Sequence, residues 1–197
     1  VPSGAIWVHG ASVGEALAAV RVADALEEAG QEVLLTANTL TGRAVLRRVK
    51  PDLSSALAPL DHPGSVALFF RRAAPRALVA VETEIWPNLF HYCKQSAISV
   101  VLANARMSKK SAQGYARFGG FIHETLSNIA FVAAQHDSDA TRLIKLGVQP
   151  EQIKITGNIK FDISLPTNLA VDAQALKKQL GEARLVWIAA STHEGED

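Results

Sequence analysis

Short apolar runs alternate along the chain with stretches of helical pattern. The runs predict strands over 5–9, 32–37, 55–58, 77–82, 98–103, 130–134, 153–156 and 184–190, each of ordinary strand length and bounded by turn residues. The stretches between them predict helices over 13–29, 42–49, 64–74, 86–95, 110–128, 137–146 and 172–180. Gly30 and Gly147 stand where the first and sixth of these should stop. Such an alternation predicts an α/β fold, a mostly parallel sheet with helices on both faces. Strand spacing of roughly 20–30 residues suits right-handed crossovers, which put the functional loops at the strands' carboxyl ends.

The stretch from Asp162 to Asp172 carries Pro166, Thr167 and Asn168 and reads as a linker. It divides the chain into a first domain over 1–165 and, over 166–197, the linker and the start of a second domain. An internal echo agrees with that division. Trp7-Val8-His9-Gly10-Ala11-Ser12 is matched in type by Trp187-Ile188-Ala189-Ala190-Ser191, each an apolar strand entering a small polar turn with an acid beyond it. Strand-like residues begin within a few positions of the start, with no signal peptide before them, and the end falls just after a strand-like run. Both ends therefore look cut from a longer protein.

At 197 residues and 48% hydrophobic, the chain can bury the core of one ordinary domain and part of another. Twenty basic and nineteen acidic residues nearly cancel, which gives no sign of a polyanionic partner such as nucleic acid. No apolar run approaches the ~18 residues of a membrane span. The single cysteine, Cys93, rules out an internal disulfide framework and reads as a small buried residue in a helix.

Chemistry concentrates after the predicted strands. Ser12-Val13-Gly14-Glu15 fits a capping box at the start of the first helix. Spacing alone favours that capping role; the second reading of Glu15 is a general base at the mouth of a cleft, with Gly10 and Gly14 letting a ligand approach the backbone. The G-x-G-x-x-G turn is absent, and the second strand ends in Thr36-Ala37-Asn38 where a dinucleotide site wants an acid, so a dehydrogenase is not expected. Glu82 and Glu84 follow a buried-type strand in Val81-Glu82-Thr83-Glu84-Ile85-Trp86-Pro87, where carboxylates need partners if buried. Glu84 reads as part of a helix entry. Glu82 reads equally well as site or structure.

Arg43 and its neighbours, and Arg106-Met107-Ser108-Lys109, combine hydroxyls with cations and suit phosphate or carboxylate. Lys160 precedes the linker and so lies near an interdomain cleft, although lysines there are commonly ordinary surface residues. His9, His136 and His193 show no metal-ligand spacing, and no G-x-S-x-G elbow is present. No metal or other cofactor is implied.

The motifs WVHGASVGE, ETEIWPNL, NARMSKKS, GNIKFD and ASTHEGED, in that order, resemble the bacterial transferases of 3-deoxy-D-manno-octulosonic acid (Kdo) that act in lipopolysaccharide biosynthesis. The resemblance covers essentially the whole chain. It implies the N-terminal, acceptor-binding half of a GT-B glycosyltransferase, an architecture of two Rossmann-like domains with the active site between them. It further implies inverting transfer from CMP-Kdo to a hydroxyl of the lipid A precursor, at the cytoplasmic face of the inner membrane. Carried over residue by residue, it makes Glu15 the base and puts Glu82 and Lys160 where the transition state is stabilised. Ser12, Arg43, Arg106 and Lys109 become acceptor contacts. Ser191, Thr192, His193, Glu194 and Glu196 resemble a donor-side motif. Many relatives carry an N-terminal hydrophobic anchor, which this sequence lacks, and most of a donor domain is missing, so the expectation is that this piece is inactive alone. The alternatives are another GT-B nucleotide-sugar transferase or epimerase, and a non-catalytic module whose basic turns hold anionic lipid at a membrane surface.

Overall fold

A computed structural model describes residues 3–162, 168–181, 184–193 and 195. The chain divides into two compact units, 1–161 and 162–197. The first contains a seven-stranded sheet in which every pairing is parallel, in the order β3-β2-β1-β4-β5-β6-β7. Its strands are β1 (Ile6–His9), β2 (Val33–Ala37), β3 (Ser54–Leu57), β4 (Ala77–Val81), β5 (Ser99–Ala105), β6 (Ile129–Ala134) and β7 (Ile153–Ile155). Its helices are α1 (Val13–Glu28), α2 (Leu40–Val49), α3 (Pro63–Ala73), α4 (Pro87–Gln95), α5 (Lys109–Ala116), α6 (Gly119–Leu126) and α7 (Asp137–Leu146).

Strand alternation sorts the apolar side chains into two cores. Trp7, Leu34, Leu78 and Val100 sit side by side in register and face one way, where Phe70 of α3, Phe90 of α4, Leu126 of α6 and Leu143 of α7 cover them. Val8, Leu35 and Val79 face the other way, against Ala16, Ala19 and Val20 of α1 and Leu46 of α2. Because both faces are covered, the inner strands such as β2 and β4 read as nearly continuous apolar runs rather than alternating ones, whereas the edge strands β3 and β7 carry Ser54, Ser55 and Lys154. The small residues along α1 let it lie close to the sheet.

The chain winds outward from β1 through β2 to β3, then returns to place β4 on the other side of β1. Right-handed crossovers in opposite directions put α1 and α2 on one face and the later helices on the other. The reversal leaves a crevice between the carboxyl ends of β1 and β4, where open α/β sheets bind their ligands.

Three expected elements differ. The helix expected over 110–128 is two helices, broken where Gly119 takes φ +48°, a conformation that glycine adopts without cost. The expected linker gives way to a helix from Leu169: α8 (Leu169–Leu180), in the second unit, is longer than the 172–180 expected. Pro166 and Thr167 lie outside the described residues. The strand expected over 184–190 is not formed. Trp187 is 85% exposed, whereas Trp7, its counterpart in the sequence echo, is fully buried. A strand exists through hydrogen bonds to a neighbour, and the described residues of the second unit contain no other strand to supply them.

Candidate functional site

The loop leaving β1 is shaped by Gly10. A Cβ there would come within 2.5 Å of the Glu15 carbonyl oxygen and 2.9 Å of the Ala16 nitrogen, both backbone atoms. Only glycine lets the loop turn so tightly against the first turn of α1, so close packing with the helix is enough to require it. Gly14 is under no such constraint, its nearest neighbour being 4.0 Å away.

The tight turn brings Glu15 back onto the loop. Its Oε2 accepts from the amides of Ala11 at 2.8 Å and Ser12 at 3.2 Å, and the Ser12 hydroxyl donates to Oε1 at 2.9 Å. The Glu15 amide in turn donates to Ser12 Oγ at 3.3 Å. The capping box is therefore formed. It fixes the carboxylate at the crevice, half-buried, at a helix N-terminus.

Across the crevice, Glu82 follows β4 with φ +64°, a conformation that non-glycine residues rarely adopt. Its amide donates to the Ala103 carbonyl at 2.9 Å. Its carboxylate lies 3.6 Å from Lys160 Nζ, the two side chains being 22% and 56% exposed. An ion pair so open to water contributes about 0–1 kcal/mol to stability. Its value here is placement of charge.

Glu84, His9 and Trp86 complete the crevice, and none of them was singled out as a site residue from sequence. Trp86 Nε1 donates to Glu84 Oε2 at 2.7 Å. Burial raises the Glu84 pKa, the Trp86 hydrogen bond opposes the shift, and the charges of Glu15 and Glu82 add to it. Those two couplings show that three carboxylates share one locality. His9 is 1% exposed, and its ring lies edge-on to Trp86 at 5.0 Å. Its Nδ1 lies 2.8 Å from Thr36 Oγ1, which also accepts from Trp7 Nε1 at 2.7 Å. Burial lowers its pKa to about 4, a hydrogen bond to the Thr36 backbone opposing. At neutral pH the 4.0 Å approach of His9 Nε2 to Glu84 Oε2 is thus a contact of a neutral imidazole, not an ion pair. The sequence signal for these residues was position: His9 ends a buried strand, and Glu84 follows Glu82 by two.

Arg106 and Lys109 come together in a second concavity of about 470 Å³, with Ser108, His136, Ser138, Arg142 and Asn158. Arg43 lies elsewhere, in the first turn of α2. Thr39 caps that turn through the Gly42 amide at 3.0 Å, and Asn38 beside it donates its amide to the Ala11 carbonyl at 3.2 Å, so Arg43 belongs to the Glu15 side. Ser191, Thr192 and His193 form an exposed segment of the second unit, and Glu194 and Glu196 lie outside the described residues. Cys93 is fully buried on α4, and burial pushes its thiol up to about 12, as befits a packing residue. Among the described residues, no cluster of three His, Cys, Asp or Glu could hold a metal ion, and no helix is long and apolar enough to cross a membrane.

The family described as 3-deoxy-D-manno-octulosonic-acid transferase (kdotransferase) matches residues 1–163. The 3-deoxy-D-manno-octulosonic acid transferase of Haemophilus influenzae is 36% identical, over 100% of this chain and 47% of that protein. Its namesake from Bordetella pertussis is 37% identical, over 98% of this chain and 45% of its own length. The chain thus spans about half the length of these relatives. Among solved structures, Anabaena HepE in complex with UDP superimposes with a TM-score of 0.64 at 16% identity, covering 90% of this chain and 50% of that one. A UDP-N-acetylglucosamine 2-epimerase gives a TM-score of 0.60 at 14% identity, covering 92% and 61%. At such identities the likeness is one of fold, a Rossmann-like domain of the GT-B type.

Proposed function

Because the chain belongs to the 3-deoxy-D-manno-octulosonic-acid transferase family, we propose that it is the acceptor-binding half of an inverting glycosyltransferase that moves Kdo from CMP-Kdo to a hydroxyl of the lipid A precursor. The observation that carries the proposal is the crevice between β1 and β4, where Glu15 is held on one side and the Glu82–Lys160 pair on the other. Glu15 takes the proton of the acceptor hydroxyl as its oxygen bonds to the anomeric carbon. The bond from that carbon to the CMP oxygen breaks on the opposite face, and CMP leaves with the electron pair. Lys160 offsets negative charge on the donor carboxylate or phosphate, and Glu82 faces its ammonium as counter-charge at 3.6 Å. Ser12, Arg43, Arg106 and Lys109 contact the acceptor and its phosphates.

The donor is held by the second domain, which begins beyond the linker at 166 and includes Ser191, Thr192, His193, Glu194 and Glu196. Residues 1–165 supply the base and the acceptor surface, so the 197-residue piece by itself transfers no sugar. An amphiphilic acceptor places the reaction at the cytoplasmic face of the inner membrane, with the cationic turns toward its anionic surface.

The test is Glu15→Gln in the complete enzyme, with CMP-Kdo and tetraacylated lipid A precursor as substrates and mass spectrometry of the product. Glutamine at this position can still accept the Ala11 amide, so the cap and the fold persist. Loss of a general base costs about 10²–10⁴-fold in rate. Transfer at the wild-type rate by the folded variant refutes the role of Glu15. No Kdo product from the folded wild type refutes the donor and acceptor assignment.

A further inference from the structure

Lys160 sits in a short 3-10 turn, Ile159–Phe161, at the end of a strap, residues 156–161, that crosses the carboxyl edge of the sheet. Its local bonds close on themselves: the Lys160 amide donates to Asn158 Oδ1 at 3.0 Å, and the Phe161 amide to the Asn158 carbonyl at 2.9 Å. Those bonds shape the turn without fixing it to the sheet. The Thr156 amide attaches the start of the strap to Ala134 of β6 at 2.9 Å, four residues before Lys160. The ion pair with Glu82 is too exposed to hold a long lysine side chain by itself.

The attachment next to Lys160 comes from Asn104, near the end of β5. Its Oδ1 accepts the Ile159 amide at 3.1 Å, across 55 residues of sequence. Asn104 is 3% exposed and has φ +53°, and its backbone carbonyl accepts from Gln135 Nε2 at 3.0 Å, so the backbone that carries the accepting side chain is fixed, while its Nδ2 is buried without a hydrogen-bond partner. Ile159 meanwhile packs onto the core beneath α1, formed by Val8, Ala16 and Val81 among others. The residue before Asn104 completes the picture. Ala103 supplies the carbonyl that accepts the Glu82 amide at 2.9 Å. Adjacent residues of β5 therefore bind the backbones of both partners, Glu82 directly and Lys160 through Ile159.

We infer that Asn104 is a positioning residue that sets the Lys160 ammonium against Glu82, acting through the Ile159 amide. The inference rests on the reading of Lys160 as a transition-state contact. A bare preference for asparagine in a left-handed conformation predicts something different, because glycine satisfies that preference and offers no acceptor.

The experiment uses Asn104→Gly, Asn104→Asp, Lys160→Ala and Asn104→Gly with Lys160→Ala, all in the complete enzyme. Kinetics are measured with CMP-Kdo and lipid A precursor, and amide hydrogen exchange is followed at residues 157–161. Asn104→Gly is expected to lower kcat by about 10–100-fold, as displacement of a catalytic group by about 1 Å does. The KM for the acceptor should stay near the wild-type value, and the Ile159 amide should exchange faster. Asn104→Asp keeps the acceptor oxygen and should retain both kcat, within a few-fold, and protection of Ile159. The double variant should be no slower than Lys160→Ala alone.

Wild-type kcat in Asn104→Gly, or losses that multiply in the double variant, overturns the inference. So does unchanged protection of Ile159 in the glycine variant, which needs no activity to be read. If Lys160→Ala transfers sugar normally, the catalytic reading of Lys160 fails instead, and the tether is then judged by exchange alone.

Discussion

Burial of His9 ties stability to pH in a way that can be calculated. In the unfolded chain the imidazole titrates at its ordinary value of 6.5, and in the folded chain burial holds it at about 4. Between those values the unfolded state binds a proton that the folded state refuses, so acidification favours unfolding. The contribution is fully present above pH 6.5 and lost as pH falls toward 4. The interval is 6.5 − 4, or 2.5 units, and at ~1.4 kcal/mol per unit the whole loss is about 3 kcal/mol, of which about 2 is gone by pH 5. Urea denaturation of the chain and of a His9→Gln variant, each over pH 5 to 8, isolates the effect because the other titrating groups are common to both. The stability difference between them should shrink by about 2 kcal/mol in favour of the variant on going from pH 7.5 to 5. A difference that stays constant to within about 0.5 kcal/mol, or that widens in favour of the wild type as pH falls, refutes the reasoning.

Two substitutions test local packing. Gly10→Ala drives a methyl group into the backbone at Glu15 and Ala16, where no side chain can swing aside, and should cost about 1–3 kcal/mol in urea denaturation. An unchanged midpoint would mean that the loop opens freely. Asp61→Ala should cost about 1–2 kcal/mol by the same measurement, because Asp61 Oδ1 accepts the Leu89 amide at 2.8 Å and Oδ2 the Asn88 amide at 3.2 Å. It thereby caps α4 from a distant loop, Trp86 at the N-cap position providing no side-chain bond. A cost below about 0.3 kcal/mol would show that solvent serves those amides equally well.

Periodicity and turn residues were enough to place seven strands in a parallel α/β fold, because strands buried on both faces must be apolar throughout and glycines mark where helices stop. The capping box was equally legible, since Ser12 and Glu15 interact across three residues and need nothing distant. The run over 184–190 carried the same apolar signal as β1 and formed no strand, because composition specifies a willingness to pair and not the presence of a neighbour.

Sequence by itself thus determined what rests on near neighbours: most of the helices, the Ser12–Glu15 cap of α1, the apolar strands and the acids that follow them. Tertiary structure decided what depends on strand order. The placement of β1 beside β4 brings Glu15, Glu82 and Glu84 into one locality although the last two lie far along the chain. The wider winding of the sheet also hangs Ile159 on Asn104, caps α4 with Asp61, and buries His9 until its charge is refused. These interactions span 27 to 75 residues and leave no periodic trace, because each is a single contact between segments that only the winding of the sheet makes adjacent.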